Sequence, residues 1–184
     1  MEKPDTFLGN YAPDFELPGI DEAVYHLASY LKNNRGVAVI FMCNHCPYVG
    51  LYLDRLKQIQ SEFQAQGFTL IGINSNDATQ YVEDSFEKMK TFAEQKQLNF
   101  PYLWDSNQDV AHSFGAQKTP EVFLLDNTGI LRYTGAIDDN PQEPEAVQAH
   151  YLRDALAAVV KGEAVTPAST EAIGCSLKWA KNET

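Results

Sequence analysis

The apolar positions of this chain follow two rhythms that alternate along its length. Val37-Ala38-Val39-Ile40-Phe41 is apolar throughout and rich in β-branched residues, which predicts a strand buried on both faces. Beyond it Val49, Tyr52, Leu53, Leu56, Ile59 and Phe63 recur at helical spacing, and Gly67 is placed to end that helix. The two patterns then repeat. Phe68 to Ile73 reads as a second strand, and Asn74-Ser75-Asn76-Asp77 supplies turn residues at its end, with Asp77 expected to cap a helix. Val82, Phe86, Met89 and Ala93 predict that helix.

The second half changes character. A short strand is expected at Tyr102-Leu103-Trp104, then a short helix ending near Phe114-Gly115. Val122 to Leu125 and Ile130 to Thr134 flank the polar turn Asp126-Asn127-Thr128-Gly129, which predicts a β-hairpin. Val147, Leu152, Ala155, Leu156 and Val159 place a final helix. Ahead of all this, Ala12 to Gly19 reads as an extended segment with turn signals, and Leu27 to Leu31 as a weak helix. The order β-α-β-α followed by β-β-α implies an α/β fold with a mixed central sheet and helices on both faces. Its first part should be parallel and its last part antiparallel. The aromatics Phe86, Phe92, Phe114 and Tyr133 have core spacing.

A length of 184 residues suits one domain, with no internal repeat and no flexible linker. A core of about 35–162 is expected, with an N-terminal extension over 1–34 and a tail over 163–184 that the flanking Gly174 and Trp179 suggest is docked. Hydrophobic residues at 44% and charged residues at 21% exclude a disordered chain, a collagen-like fibre or a coiled coil. No run of 18 apolar residues is present, so no spanning helix is expected. The net charge of -11 and the lack of any basic cluster argue against nucleic acid and anionic lipid as partners. Met1 to Asp5 does not resemble a signal peptide, and a cytoplasmic location is expected. Asp138-Asp139 is read as a solvated loop, and His26, His112 and His150 as residues without special function.

Composition changes the picture most through its three cysteines. An odd number is not a structural disulfide framework. Two of them form Cys43-Asn44-His45-Cys46 between the first buried strand and its helix; Cys175 stands far away. The first turn of a helix has unpaired N–H groups and a positive dipole end, so a thiolate placed there is stabilised. Two cysteines three apart can close a disulfide, one attacking a substrate and the other resolving the mixed intermediate. His45 would favour the thiolate further. Pro47 leaves two arrangements open. If Cys43 caps the helix, Pro47 ends the first turn and Cys43 is the attacking thiol. If Cys46 is the cap, Pro47 takes the first helical position and Cys46 is promoted. The first is expected, because the N-terminal cysteine of such a pair is usually the less buried. A metal site using Cys43, His45 and Cys46, with Cys175 as a fourth ligand, is the competing reading; a redox sensor is another. Cys175 is either an additional redox thiol or a buried filler.

Downstream, Lys118-Thr119-Pro120-Glu121 precedes the apolar strand Val122 to Leu125. Together with the C-x-x-C, this resembles the thioredoxin-like superfamily, in which such a Thr-Pro has a cis peptide bond and faces the cysteines. The resemblance implies a thioredoxin-like fold, with Thr119 and Pro120 positioning a substrate backbone. Ala12-Pro13-Asp14-Phe15 is similar to the opening of the alkyl hydroperoxide reductase/thiol-specific antioxidant branch. Cys43 to Val49, Asn74 to Asp77, Tyr81 to Met89 and Gly174-Cys175-Ser176-Leu177-Lys178-Trp179 resemble its peroxiredoxin-like, redoxin-domain members. Two departures are visible. Val37 stands where thioredoxins carry a buried acid, and Met42 where they carry an aromatic. Aligned on Cys46, the peroxiredoxin Pro-x-x-x-Thr-x-x-Cys is absent, since Val39 and Cys43 fill the proline and threonine positions.

The expectation is therefore a thiol–disulfide oxidoreductase cycling a Cys43–Cys46 disulfide in antioxidant or redox homeostasis, supported by His45, Pro47, Thr119 and Pro120. It should need no organic cofactor and no metal. Its substrate would be a disulfide-containing protein or small molecule, and its electron donor a thioredoxin or glutathione system. The alternative is a thiol peroxidase with Cys46 as the peroxidatic cysteine.

Overall fold

A computed structural model describes residues 7–181; Met1 to Asp5 lie outside the described residues. The elements in chain order are β1 (Glu16–Pro18), β2 (Val24–His26), α1 (Leu27–Asn33), β3 (Gly36–Phe41), α2 (Pro47–Phe63), β4 (Phe68–Asn74), α3 (Phe86–Gln95), β5 (Tyr102–Trp104), α4 (Asp109–Phe114), β6 (Lys118–Thr119), β7 (Glu121–Asp126), β8 (Leu131–Gly135), α5 (Tyr151–Lys161) and β9 (Cys175–Ser176). Five strands form the central sheet in the order β5-β4-β3-β7-β8. β3, β4 and β5 are parallel; β7 and β8 run antiparallel to their neighbours. This is the mixed sheet that the alternating apolar rhythms predict.

The uniformly apolar β3 is the centre of the sheet, and its period of two serves two cores. Ala38, Ile40 and Met42 face one cluster with Leu53 and Leu56 of α2, Met89 and Phe92 of α3, and Leu152 and Leu156 of α5. Val37, Val39 and Phe41 face the other with Val110 and Phe114 of α4, Leu27 of α1, and Phe15 and Leu177 from the two ends of the chain. The helices thus cover both faces. Gly67 sits at φ 86 and ends the 3₁₀ turn Gln64–Gln66 that follows α2, a left-handed position that glycine fills without a Cβ penalty. Among the described residues, no helix is long and apolar enough to cross a membrane.

Three local expectations are corrected. Val82–Asp84 is a separate 3₁₀ turn, and α3 begins at Phe86 because the Ser85 side chain accepts from Lys88 N at 3.2 Å. Asp77 caps no helix: its carboxylate accepts from Thr79 and Gln80 in the turn that follows β4. Asp138 is not solvated. It is 4% exposed and receives Arg55 Nη1 at 2.8 Å and the Tyr52 hydroxyl at 3.1 Å, a buried ion pair tying α2 to the segment after β8.

The topology gathers the chemistry at one edge. β3 and β4 end where the antiparallel β7 begins, with Phe41 in register with Ile73 on one side and Glu121 on the other. The loops beyond these positions are Cys43 to Cys46, Asn74 to Asp77, and Thr119-Pro120. Ligand sites in open α/β sheets lie at such an edge.

Candidate active site

Cys46, not Cys43, is the N-cap of α2. Its backbone is extended (φ -81, ψ 125), and Pro47 occupies the first helical turn. Local sterics favour this: a residue that precedes proline is pushed away from the helical region towards the extended one, where Cys46 lies. Pro47 gives up an N–H that has no intrahelical acceptor anyway. The expectation that Cys43 caps the helix and is the less buried of the two is therefore corrected, since Cys43 is 1% and Cys46 6% exposed.

The disulfide is also different from the one expected. Cys46 is bonded to Cys175 across a Cα–Cα distance of 6.3 Å, and Cys43 keeps its thiol. The tail delivers Cys175 through a short antiparallel pairing, β6 with β9, in which Thr119 is in register with Cys175 and Lys118 with Ser176. A side chain at Gly174 would overlap the Thr119 carbonyl, so only glycine lets the two backbones approach this closely.

Thr119 touches all three cysteines. Its hydroxyl lies 3.6 Å from Cys43 Sγ, its carbonyl oxygen 3.4 Å from Cys46 Sγ, and its backbone pairs with that of Cys175. The Thr119-Pro120 peptide bond is cis.

An acid does stand behind the cysteines, but it comes from another element. Asp84 is fully buried and accepts from Asn44 N at 2.7 Å, Asn76 Nδ2 at 3.0 Å and Asn74 Nδ2 at 3.3 Å, with His45 Nδ1 2.6 Å away. The Tyr102 hydroxyl donates to Asn44 Oδ1 at 2.7 Å and completes the network that fixes the loop between β3 and α2. His45 is the exposed member and stacks on Tyr81 at 6.1 Å. Burial, reinforced by the negative charge of Asp84, pushes the Cys43 thiol up to about 11, and its hydrogen bond to Thr119 offsets this only in part. Cys43 is thus a protonated thiol at neutral pH.

Cys43, His45 and Asp84 offer ligand atoms within 4.8 Å of one another. The carboxylate is already engaged by three amide donors and a histidine, and Cys46 is held in the disulfide, so the donor set expected for a metal is not the one assembled. His112, read as unremarkable, stacks on Trp179 of the tail at 4.2 Å. Asp84, Asn44 and Tyr102 were not legible as site residues. The only signal was position, since Asn74 and Asn76 follow a strand at the edge where ligands gather.

A disulfide at the N-terminus of the helix that follows the central strand, facing a cis proline, defines a thioredoxin-like thiol–disulfide redox protein. The chain belongs to the AhpC/TSA family, whose profile matches residues 8–134. A solved hypothetical protein from Sinorhizobium meliloti is 34% identical with a TM-score of 0.90, and the match covers 97% of this chain and 98% of that one. An uncharacterised conserved protein from Geobacillus kaustophilus is 36% identical with a TM-score of 0.89, covering 99% and 95%. A putative thiol:disulfide interchange protein DsbE from Chlorobium tepidum, 22% identical over 85% of this chain and 99% of that one, shares the fold at a TM-score of 0.69. Among curated relatives, thiol-disulfide oxidoreductase ResA of Geobacillus thermodenitrificans is 26% identical over 80% of this chain and 82% of its own. A putative peroxiredoxin of Mycobacterium tuberculosis is 26% identical over 72% and 78%.

Proposed function

We propose that this chain is a thiol–disulfide oxidoreductase in which Cys46 carries the exchange and Cys175 is its partner. The observation that carries this reading is the Cys46–Cys175 disulfide itself, at the N-cap of α2 and against the cis Thr119-Pro120 bond. In the reduced protein the end of α2 favours negative charge at Cys46. The Cys46 thiolate attacks one sulfur of a substrate disulfide, and the other sulfur leaves as a thiolate. Cys175 then attacks the Cys46 sulfur, forms the bond seen here and releases the second substrate thiolate. Cys43, buried and protonated, supports this couple. A thiol donor of the thioredoxin or glutathione kind would restore the two thiols, in an antioxidant or redox-homeostasis setting in the cytoplasm. Reduction of a small disulfide by the purified protein tests the assignment. Cys46→Ser should lose activity by at least about 100-fold, and undiminished turnover would sink it.

A second reading has its own support. Cys46-Pro47 at a helix start, paired with a distant cysteine, also suits a thiol peroxidase in which Cys46 forms a sulfenic acid that Cys175 condenses with. Dimedone trapping in a Cys175→Ser variant separates the two. A Cys46 adduct formed at micromolar peroxide favours the peroxidase.

A further inference from the structure

The tail is held more firmly than a mobile resolving arm requires. Leu177 N donates to Gln117 O at 2.9 Å, and Lys178 N to Asn76 Oδ1 at 2.9 Å. The Lys178 carbonyl accepts from Asp77 N at 2.8 Å and from Gln108 Nε2 at 2.9 Å, and Ala180 N donates to Gln108 Oε1 at 2.9 Å. Leu177 is buried in the core cluster of α4, and Trp179 stacks on His112. Upstream, Lys118 Nζ donates to the Ala172 carbonyl at 3.1 Å, and the Tyr133 and Thr170 hydroxyls are 2.7 Å apart.

Two of these partners bridge the core and the tail, since Asn76 Nδ2 also donates to Asp84 and Gln108 Nε2 to the Ser75 carbonyl. Asn76 and Gln108 are 4% and 5% exposed, and their amides meet backbone groups of residues 178 and 180. Gln108 does so from φ 67, a left-handed conformation that non-glycine residues rarely adopt and that surrounding structure must hold in place. Departure of the tail would take the donors away from Asn76 Oδ1 and Gln108 Oε1, and a polar atom that loses its partner costs more than a bond never made. None of these contacts involves a sulfur atom. Cys175 is therefore pinned from both sides whether or not its bond to Cys46 exists.

We propose that the tail stays on β6 in both redox states, that it closes the strand position beside Thr119 to polypeptides, and that the Cys46–Cys175 bond is opened by a small-molecule thiol. This rests on reading that bond as the redox couple. An incoming polypeptide would need the edge of β6 for strand addition, and β9 already fills it. A small thiol needs only access to sulfur. Cys175 is partly exposed where Cys46 is buried, and the residue before it, Gly174, lines a cleft of about 530 Å³ together with Tyr48, Lys118, Tyr151 and Glu171. A thiolate attacks Cys175 Sγ and forms a mixed disulfide; the bond to Cys46 breaks, and Cys46 leaves with the electron pair at the N-terminus of α2. A second thiolate attacks the small-molecule sulfur, giving the oxidised dimer of the thiol and freeing Cys175 as a thiolate. Both protein thiolates are then free to take protons from water. The protein gains two electrons and two small thiols lose them.

The chain has two tryptophans, so Trp104→Phe leaves Trp179 as the reporter. Acrylamide quenching of Trp179 is measured in the oxidised protein and after reduction by glutathione, with the thiols counted by alkylation. Quenching should agree between the two states within about 1.5-fold, whereas Gln108→Ala, which loosens the tail, should raise it several-fold in the reduced state. Glutathione should also open the bond at least as fast per thiolate as a peptide copying residues 172–179. A reduced protein in which Trp179 becomes several-fold more quenchable, or a peptide that reacts about tenfold faster than glutathione, would overturn the proposal while leaving the oxidoreductase reading intact. A bond that neither reagent opens in the folded protein would remove the oxidoreductase reading and this proposal with it.

Discussion

Thr119 stands opposite Cys175 in the β6–β9 pairing, so the residue before the cis proline meets a strand of its own chain. The same residue lies against Cys43 through its hydroxyl and Cys46 through its carbonyl. Three cysteines separated by up to 132 positions therefore converge on one threonine, and Cys46 bonds to the most distant one. The two cysteines of the C-x-x-C have different surroundings: Cys46 sits at a helix end and Cys43 in the core.

Thiol counting checks this pairing directly. The denatured, non-reduced wild-type protein should show one alkylatable thiol, mapping to Cys43 by mass spectrometry. Cys43→Ser should show none, and Cys46→Ser should show two. A wild-type thiol that mapped to Cys175 would instead restore the Cys43–Cys46 bond.

The buried Cys43 thiol makes stability depend on pH at the alkaline end. Its value is 9.0 unfolded and about 11 folded, so the folded state binds more protons in between. The associated stabilisation, about 2 to 3 kcal/mol, is complete below the unfolded value and is lost as pH rises through the folded one. Urea unfolding of wild type and Cys43→Ala at about pH 8 and about pH 10.5 tests this, because the alanine variant should lose less stability between them. Equal losses would contradict it.

Asp84 offers a sharper perturbation. Asp84→Asn turns one carboxylate oxygen into an NH₂ group that must face donors, either Asn44 N–H with the Asn74 amide or the Asn76 amide, and should cost about 2 to 4 kcal/mol in chemical denaturation. Removing its charge should also lower the pH at which Cys43 becomes reactive to iodoacetamide, since the carboxylate helps hold the thiol protonated. A profile that stayed in place would assign the effect to burial alone.

Gly174→Ala addresses the close approach of the two backbones. A methyl group there runs into the Thr119 carbonyl and forces β9 away from β6. The Cys46–Cys175 bond should become easier to reduce, by about tenfold in its equilibrium with a glutathione buffer. An unchanged equilibrium would show that the pairing does not set the stability of the bond.

Periodicity served well where elements are long. β3, α2, β4, the hairpin of β7 and β8, and α5 bury continuous faces, and burial of that kind writes itself into residue spacing. The pattern was silent on β6 and β9, two residues each, because two residues carry no period. Asp138 misled for a related reason: an acidic pair after a hairpin looks solvated until Arg55, 83 positions earlier, is brought alongside. The helix start is set by a local signal. Cys46-Pro47 disfavours a helical Cys46, and this steric preference outweighs the general tendency of the first cysteine to be exposed.

By itself, then, the sequence determined the mixed sheet, the placement of a C-x-x-C at the end of its central strand, and the cysteine chemistry that such a position supports. These follow from local sterics and from burial repeated along the chain. Only the tertiary structure decided which sulfurs are joined, which thiol is buried beside Asp84, and that the tail fills the strand position next to Thr119. Those outcomes depend on contacts between residues far apart in the chain, and distance in sequence leaves no mark on spacing or composition.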